Sequence, residues 1–152
     1  MITFSKLGKH GNLGNQLFQI AALIGFSEKY KCDLVIPEWK YAQYFEHPLV
    51  QGKISSDFCI VEEDYHYVPE FWDRYSGNFK KMNADILGWL QTEKYWQHCR
   101  ENVFRTFQFK KEIFERTQTS FHRALKKKTI AISVRRGDFI TNPNFYLLPL
   151  EY

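Results

Sequence analysis

A chain of 152 residues, 44% hydrophobic and 25% charged, has the composition of a folded globular domain with a sizeable core, which excludes a disordered or collagen-like polymer. Its formal net charge of +4 is spread along the chain apart from Lys126-Lys127-Lys128, and suits an anionic nucleotide, an acidic membrane surface or nucleic acid alike. Cys32, Cys59 and Cys99 lie far apart, which excludes a complete disulfide framework, offers no C-x-x-C metal pair and points to a reducing compartment.

Residues 2 to 5 read as a first strand. A glycine-rich turn follows, Gly8-Lys9-His10-Gly11-Asn12-Leu13-Gly14-Asn15-Gln16, and then a helical pattern from Leu17 to Lys29. Leu13, Leu17, Ile20 and Ile24 form one apolar face of that helix and Phe18, Ala22 and Gly25 another, so burial on both sides is expected. Strand, glycine turn and helix in this order aim the helix's free N–H groups and the positive end of its dipole into the turn, which invites an anion. The spacing matches neither G-x-G-x-x-G nor a Walker lysine loop. Asparagines at 12 and 15 have two uses here, capping the helix or contacting a ligand. Asp33 to Pro37 reads as a short second strand that completes a βαβ unit, and Trp39 to Phe45 as a tyrosine-rich turn. From Pro48 to Lys81 aromatic and polar residues alternate without a clear period, and Pro69 and Gly77 point to short strands and long loops.

Asp85 to Leu90 is again of strand length. Gln91-Thr92 leads into a helix, with Thr92 as N-cap and Trp96, Cys99, Val103 and Phe107 on one face. For Thr92-Glu93-Lys94 a capping and salt-bridge role outweighs ligand contact. Lys110 to Leu125 is a further helix with Ile113, Phe114, Phe121 and Leu125 expected inward, closed by the lysine triplet as a solvated last turn. A strand from Thr129 to Val134 then ends in Arg135-Arg136-Gly137-Asp138-Phe139. Residues just past a buried strand project into the crevice where open α/β sheets bind ligands, and a guanidinium offers paired donors to two phosphate oxygens. Successive side chains on a strand face opposite ways, so Arg135 is the phosphate candidate and Arg136 a supporting residue that pairs with Asp138 across the bend at Gly137. The competing role for Arg135 is a surface ion pair with Asp138.

Three segments in this order, Asn12-Leu13-Gly14-Asn15-Gln16-Leu17-Phe18-Gln19, Gly88-Trp89-Leu90-Gln91-Thr92-Glu93-Lys94-Tyr95 and Ser133-Val134-Arg135-Arg136-Gly137-Asp138-Phe139, resemble the alpha-1,2-fucosyltransferase family of bacteria and animals. That family carries a Gly-Leu-Gly-Asn-Gln-Leu-Phe-Gln loop, a Gly-aromatic-x-Gln-Ser/Thr-Glu-Lys-Tyr segment and a His-x-Arg-Arg-Gly-Asp-Tyr motif. Here Asn12, Ser133 and Phe139 replace the usual glycine, histidine and tyrosine. The resemblance implies an α/β fold in which residues 1–126 are the Rossmann-like, acceptor-side domain of a two-domain GT-B-type glycosyltransferase. Residues 127–152 would then be the first strand and loop of an incomplete GDP-fucose-binding domain.

The implied activity is metal-independent, inverting transfer of L-fucose from GDP-fucose to the 2-hydroxyl of a galactoside. GDP-fucose serves as donor substrate with no further cofactor, the partner is a galactose-terminated glycan, and no nucleic acid is involved. Arg135 and Asp138 become the catalytic residues, Asp138 as a base for the acceptor hydroxyl proton. Gly14, Asn15, Gln16, Arg135 and Arg136 become the GDP-fucose contacts. The alternative is an inactive fragment acting at most as a glycan- or nucleotide-binding module.

Five scattered histidines show no ligand spacing, so no metal site is expected. Neither a signal peptide nor an apolar run of the roughly 20 residues a bilayer needs is evident. The expected location is therefore cytoplasmic, as in bacterial members, with mild basicity allowing peripheral contact with the inner membrane. Leu148-Pro149-Leu150-Glu151-Tyr152 resembles a helix start with no helix after it, which reads as a fragment or a shortened chain.

Overall fold

The first apolar run forms only a two-residue strand, β1 (Ile2–Thr3), yet both residues are fully buried because backbone flanks them on either side. The computed structural model describes residues 1–47, 49–54, 58–62, 66, 67, 69, 73, 83–132, 137, 140, 141 and 143. On one side β1 pairs in parallel with a strand at Asn83–Leu87, Ile2 opposite Ala84 and Thr3 opposite Asp85. On the other, the Ile2 N–H donates to the Asp33 carbonyl at 2.7 Å and the Val35 N–H to the Ile2 carbonyl at 3.1 Å. The expected strand at 33–37 is thus a bordering segment, with Leu34 paired to Ile2 and Ile36 to Gln51. Phe58–Glu62 is β2 and Asn83–Leu87 is β3; they also pair in parallel, giving a three-stranded sheet of order β1-β3-β2. The fold is α/β with a parallel sheet, an arrangement that requires helical cover.

That cover is α1 (Leu13–Tyr30), which is buried along most of its length, Ile20, Ala22 and Leu23 completely. Lys31 ends the helix in the left-handed conformation, φ 52°, returning its N–H to the Ser27 carbonyl, while the Ser27 hydroxyl donates to the Cys32 carbonyl at 2.7 Å. Gly25 allows α1 to touch another stretch of backbone. A Cβ there would collide with the Tyr95 carbonyl oxygen and stand 3.0 Å from the Trp96 Cα. Phe26 meets the edge of Tyr95 at 5.5 Å between ring centroids, and Tyr67 packs on the same ring at 4.9 Å.

After β3 the sequence pattern predicts one helix, but the chain winds as two 3-10 turns, Glu93–Tyr95 and Gln97–Cys99, before α2 (Arg100–Thr106). Tyr95 and Trp96 are consecutive and both buried, and a regular helix would turn neighbouring side chains well away from each other. The non-helical backbone at Trp96, φ −134° and ψ 8°, resolves that conflict. A second aromatic cluster joins distant segments: Trp39 stacks on Phe45 at 5.5 Å, and Phe45 on Phe109 at 5.0 Å. Backbone bonds from Glu46 to Gln108 and from Lys110 to Tyr44 hold the same junction.

The chain divides into two compact units, Met1–Phe114 and Glu115–Tyr152. Helix α3 (Lys111–Leu125) has the amphipathic pattern its sequence requires, but not the expected burial: Phe114, Phe121 and Leu125 are 59%, 59% and 65% exposed. Residues 129–132, expected to open a buried strand, are irregular, with Ile130 and Ile132 89% and 84% exposed. A parallel strand needs neighbours along its edges, and among the described residues no strand pairs with this run. Its continuation at 133 and 134 lies outside the described residues. Among the described residues no helix is long and apolar enough to cross a membrane.

Candidate functional site

Parallel neighbours open their carboxyl ends at the same edge of a sheet, so the loop after β1 and the turn after β3 lie side by side. Asp85 on β3 fixes the start of that loop. Its carboxylate accepts the Ser5 N–H at 2.8 Å through Oδ1 and the Ser5 hydroxyl at 2.6 Å through Oδ2, a pair of charge-assisted bonds at a nearly buried site. Two glutamines of α1 then hold the far side of the loop. The Gln16 amide donates to the Gly11 carbonyl at 2.8 Å and accepts the Trp39 indole N–H at 2.8 Å, while the Gln19 amide donates to the His10 carbonyl at 3.1 Å. Gly11 has φ 83°, and a Cβ there would strike the Asn15 side chain, so both backbone and space demand glycine.

The turn after β3 is shaped by Leu90, a non-glycine residue at φ 54°. Left-handed backbone at a leucine costs about 1 kcal/mol, and here a fully buried side chain compensates. The Thr92 N–H closes the turn on the Leu90 carbonyl at 2.9 Å. With Leu90 anchored inside, Trp89 is turned outward and remains 36% exposed. Its ring meets that of His10 at 4.3 Å between centroids, tilted by 41°, and His10 lies 6.3 Å from Phe4 on another side. The Gln91 amide donates to Asn15 Oδ1 at 2.9 Å. Glycine loop and post-β3 turn therefore touch twice, once through rings and once through amides.

Gly14 lies in the first turn of α1, exposed, and a Cβ there would meet open space. Asn12 occupies the N-cap position in extended backbone but makes no side-chain cap bond, and the Asn15 amide oxygen is given to Gln91 rather than to the helix end. The Gln16 N–H makes the first helical bond, to Asn12 at 3.0 Å, so the N–H groups of Leu13, Gly14 and Asn15 precede it and the positive end of α1 points toward this cluster. Gln16 is buried with donor and acceptor both engaged inside the protein, which makes it a residue that shapes the loop.

Arg135, Arg136 and Asp138 lie outside the described residues, while Gly137 sits in an exposed turn closed by the Ile140 N–H at 3.3 Å. In the Thr92-Glu93-Lys94 stretch, Thr92 Oγ1 accepts the Lys94 N–H at 3.4 Å and Glu93 stands 3.6 Å from Arg100. Those contacts are of the capping and salt-bridge kind.

His10, Gln19, Asp85 and Trp89 are the members sequence reasoning did not single out. Asp85 carried a usable signal, a lone carboxylate opening an apolar run, which in a buried strand must find donors.

Open grooves of about 740 and 600 Å³ lie elsewhere in the first unit. In the larger, Asn102 donates to Glu28 at 2.6 Å, Arg105 to Asn102 at 3.1 Å, and the His98 ring is engaged by the Gly25 carbonyl at 3.0 Å, so these polar groups already have protein partners. The smaller borders Met1 and Cys32, at the amino end of β1. Burial pushes the Cys32 and Cys99 thiols up, so both are protonated and weakly nucleophilic near neutral pH. Among the described residues no cluster of three or more His, Cys, Asp or Glu side chains could hold a metal ion. No protein-family model, curated protein or solved structure matches the chain.

Proposed function

We propose that the chain is a sugar-nucleotide-dependent glycosyltransferase of the alpha-1,2-fucosyltransferase type, moving L-fucose from GDP-fucose to the 2-hydroxyl of a galactoside. The observation that carries this is the Gln91–Asn15 hydrogen bond: it joins, across 76 residues, two of the three segments that carry the resemblance. Their meeting place is the carboxyl edge of a parallel sheet, where α/β proteins bind nucleotides and sugars. On this proposal the sheet belongs to a Rossmann-like domain of a two-domain enzyme that acts in the cytoplasm or at the inner face of the membrane.

As the glycosidic bond breaks, negative charge gathers on the β-phosphate while the sugar gains oxocarbenium character. Arg135 is assigned to that phosphate, where a fixed guanidinium replaces a metal, and Arg136 supports it by pairing with Asp138. The first-turn N–H groups of Leu13, Gly14 and Asn15 are themselves suited to an anion. Alternatively Asp138, instead of pairing with Arg136, is the candidate base for the acceptor hydroxyl. Removing one preorganised donor from such a leaving group costs about 3 to 4 kcal/mol of transition-state stabilisation.

The test is calorimetric titration of GDP into the 152-residue chain and its Arg135→Ala variant, together with an assay for labelled fucose on methyl β-galactoside. GDP binding that falls with Arg135→Ala, and fucosyl transfer that falls by about 100-fold or more, is the expected result. Absence of GDP binding to the unaltered chain, or equal affinities in the two, overturns the assignment.

A further inference from the structure

We infer that the His10–Trp89 ring pair and the Gln91–Asn15 amide pair together form a pyranose-binding platform, and that it takes the galactoside rather than the nucleotide. The identity of the sugar rests on the transferase proposal; the platform itself does not. Two side-chain chemistries define it.

First, Trp89 is held outward by a backbone conformation that leucine adopts only at a cost, and more than a third of its surface stays open although Leu90 beside it is buried and His10 against its ring is half-buried. His10 lies tilted against the indole and is itself backed by Phe4, so the ring is braced. An exposed, braced indole is a surface for the apolar C–H face of a pyranose, and the face formed by C3, C4 and C5 of galactose is of that kind.

Second, the amide pair is only half used. Gln91 Nε2 donates to Asn15 Oδ1, and among the described residues no hydrogen bond engages Gln91 Oε1 or Asn15 Nδ2. One acceptor and one donor therefore remain without a hydrogen bond in the same loop–turn contact that carries the ring pair, and a sugar hydroxyl pair can use them, since each hydroxyl both gives and accepts a hydrogen bond. A guanine edge presents two adjacent donors and calls for a carboxylate. The carboxylate at this edge, Asp85, is already committed to Ser5. The open indole face, suited to the C–H face of galactose, is what favours the sugar.

The experiment is saturation-transfer NMR of methyl β-galactoside with the 152-residue chain in the absence of nucleotide, with affinities from titration, and the same titration with GDP. Saturation strongest at H3, H4 and H5, and an affinity lowered about tenfold by Trp89→Ala and about fivefold by Gln91→Ala, is the expected result. Gln91 is exposed, so its variant remains informative should Trp89→Ala fail to fold.

Absence of saturation transfer to the unaltered chain, or galactoside affinity unchanged in both variants, overturns the platform. So does a Trp89→Ala variant that loses GDP while keeping galactoside. A chain that binds galactoside through Trp89 but neither binds GDP nor transfers fucose refutes the transferase proposal and leaves the platform standing.

Discussion

Alanine in place of Gly25 and alanine in place of Gly14 should move stability in opposite directions, although both glycines belong to α1. At Gly25 the added Cβ meets backbone, the Tyr95 carbonyl and the Trp96 Cα, and neither can swing aside as a side-chain tip would. Overpacking of this kind costs about 1 to 3 kcal/mol, and rigid neighbours place the site at the upper end. Helix propensity returns about 1 kcal/mol, so Gly25→Ala should lose about 2 kcal/mol and about 4 to 8 °C in melting temperature. At Gly14 the Cβ meets open space, and the same substitution should gain up to about 1 kcal/mol. Thermal and urea unfolding followed by circular dichroism measures both. A rise in stability for Gly25→Ala, which propensity alone would produce, refutes the close approach of α1 to the 92–96 segment.

Asp85→Asn keeps an acceptor for the Ser5 N–H and a donor for its hydroxyl, and should cost about 1 kcal/mol; Asp85→Ala orphans the N–H and should cost about 2 to 4 kcal/mol, so equal urea midpoints for the two would contradict the described bonds. Phe121→Gln should shift the unfolding free energy by less than about 0.5 kcal/mol because the ring is largely exposed; a loss of several kcal/mol would mean that the face of α3 is covered in solution. In a Cys59→Ser background, Cys32 and Cys99 should alkylate at neutral pH more slowly than a free thiol, the rate still climbing where that of a free thiol levels off. The linkage has a definite sign: the folded state holds these thiol protons more tightly, so their contribution is full below the ordinary thiol range and is lost as pH rises through it.

Elements whose pattern is local were legible in the sequence. The double-sided apolar spacing of α1 requires burial wherever the helix lies, and the strand-length run from Asp85 to Leu90 points to a strand that the structure places at Asn83–Leu87. What failed depended on partners. Ile113, Phe114, Phe121 and Leu125 repeat at helical spacing, so the helix was legible, but periodicity reports that a face is apolar and never whether something covers it. Two successive buried aromatics, Tyr95 and Trp96, likewise carry no periodic signal for 3-10 winding; their joint burial, where Gly25 lets the two backbones meet, becomes visible only in the fold.

At the candidate site the limits were different, because its polar residues serve each other before they serve a ligand. Asparagine and glutamine in a glycine-rich loop look like ligand donors, and a sequence cannot say which of them are already engaged. The structure separates them by burial. Gln16 and Gln19, sealed beneath the loop, spend their amides on the carbonyls of Gly11 and His10, whereas Asn15 meets its partner Gln91 at the surface. A glycine loop left to itself would sample many shapes at a cost of about 1 to 2 kcal/mol per residue ordered. The buried glutamines, together with Asp85 on Ser5, select one of these shapes in advance, so a ligand arriving at Trp89 and Gln91 would not have to order the loop first. On the platform proposal, polar residues beneath the surface therefore set how tightly those above it bind.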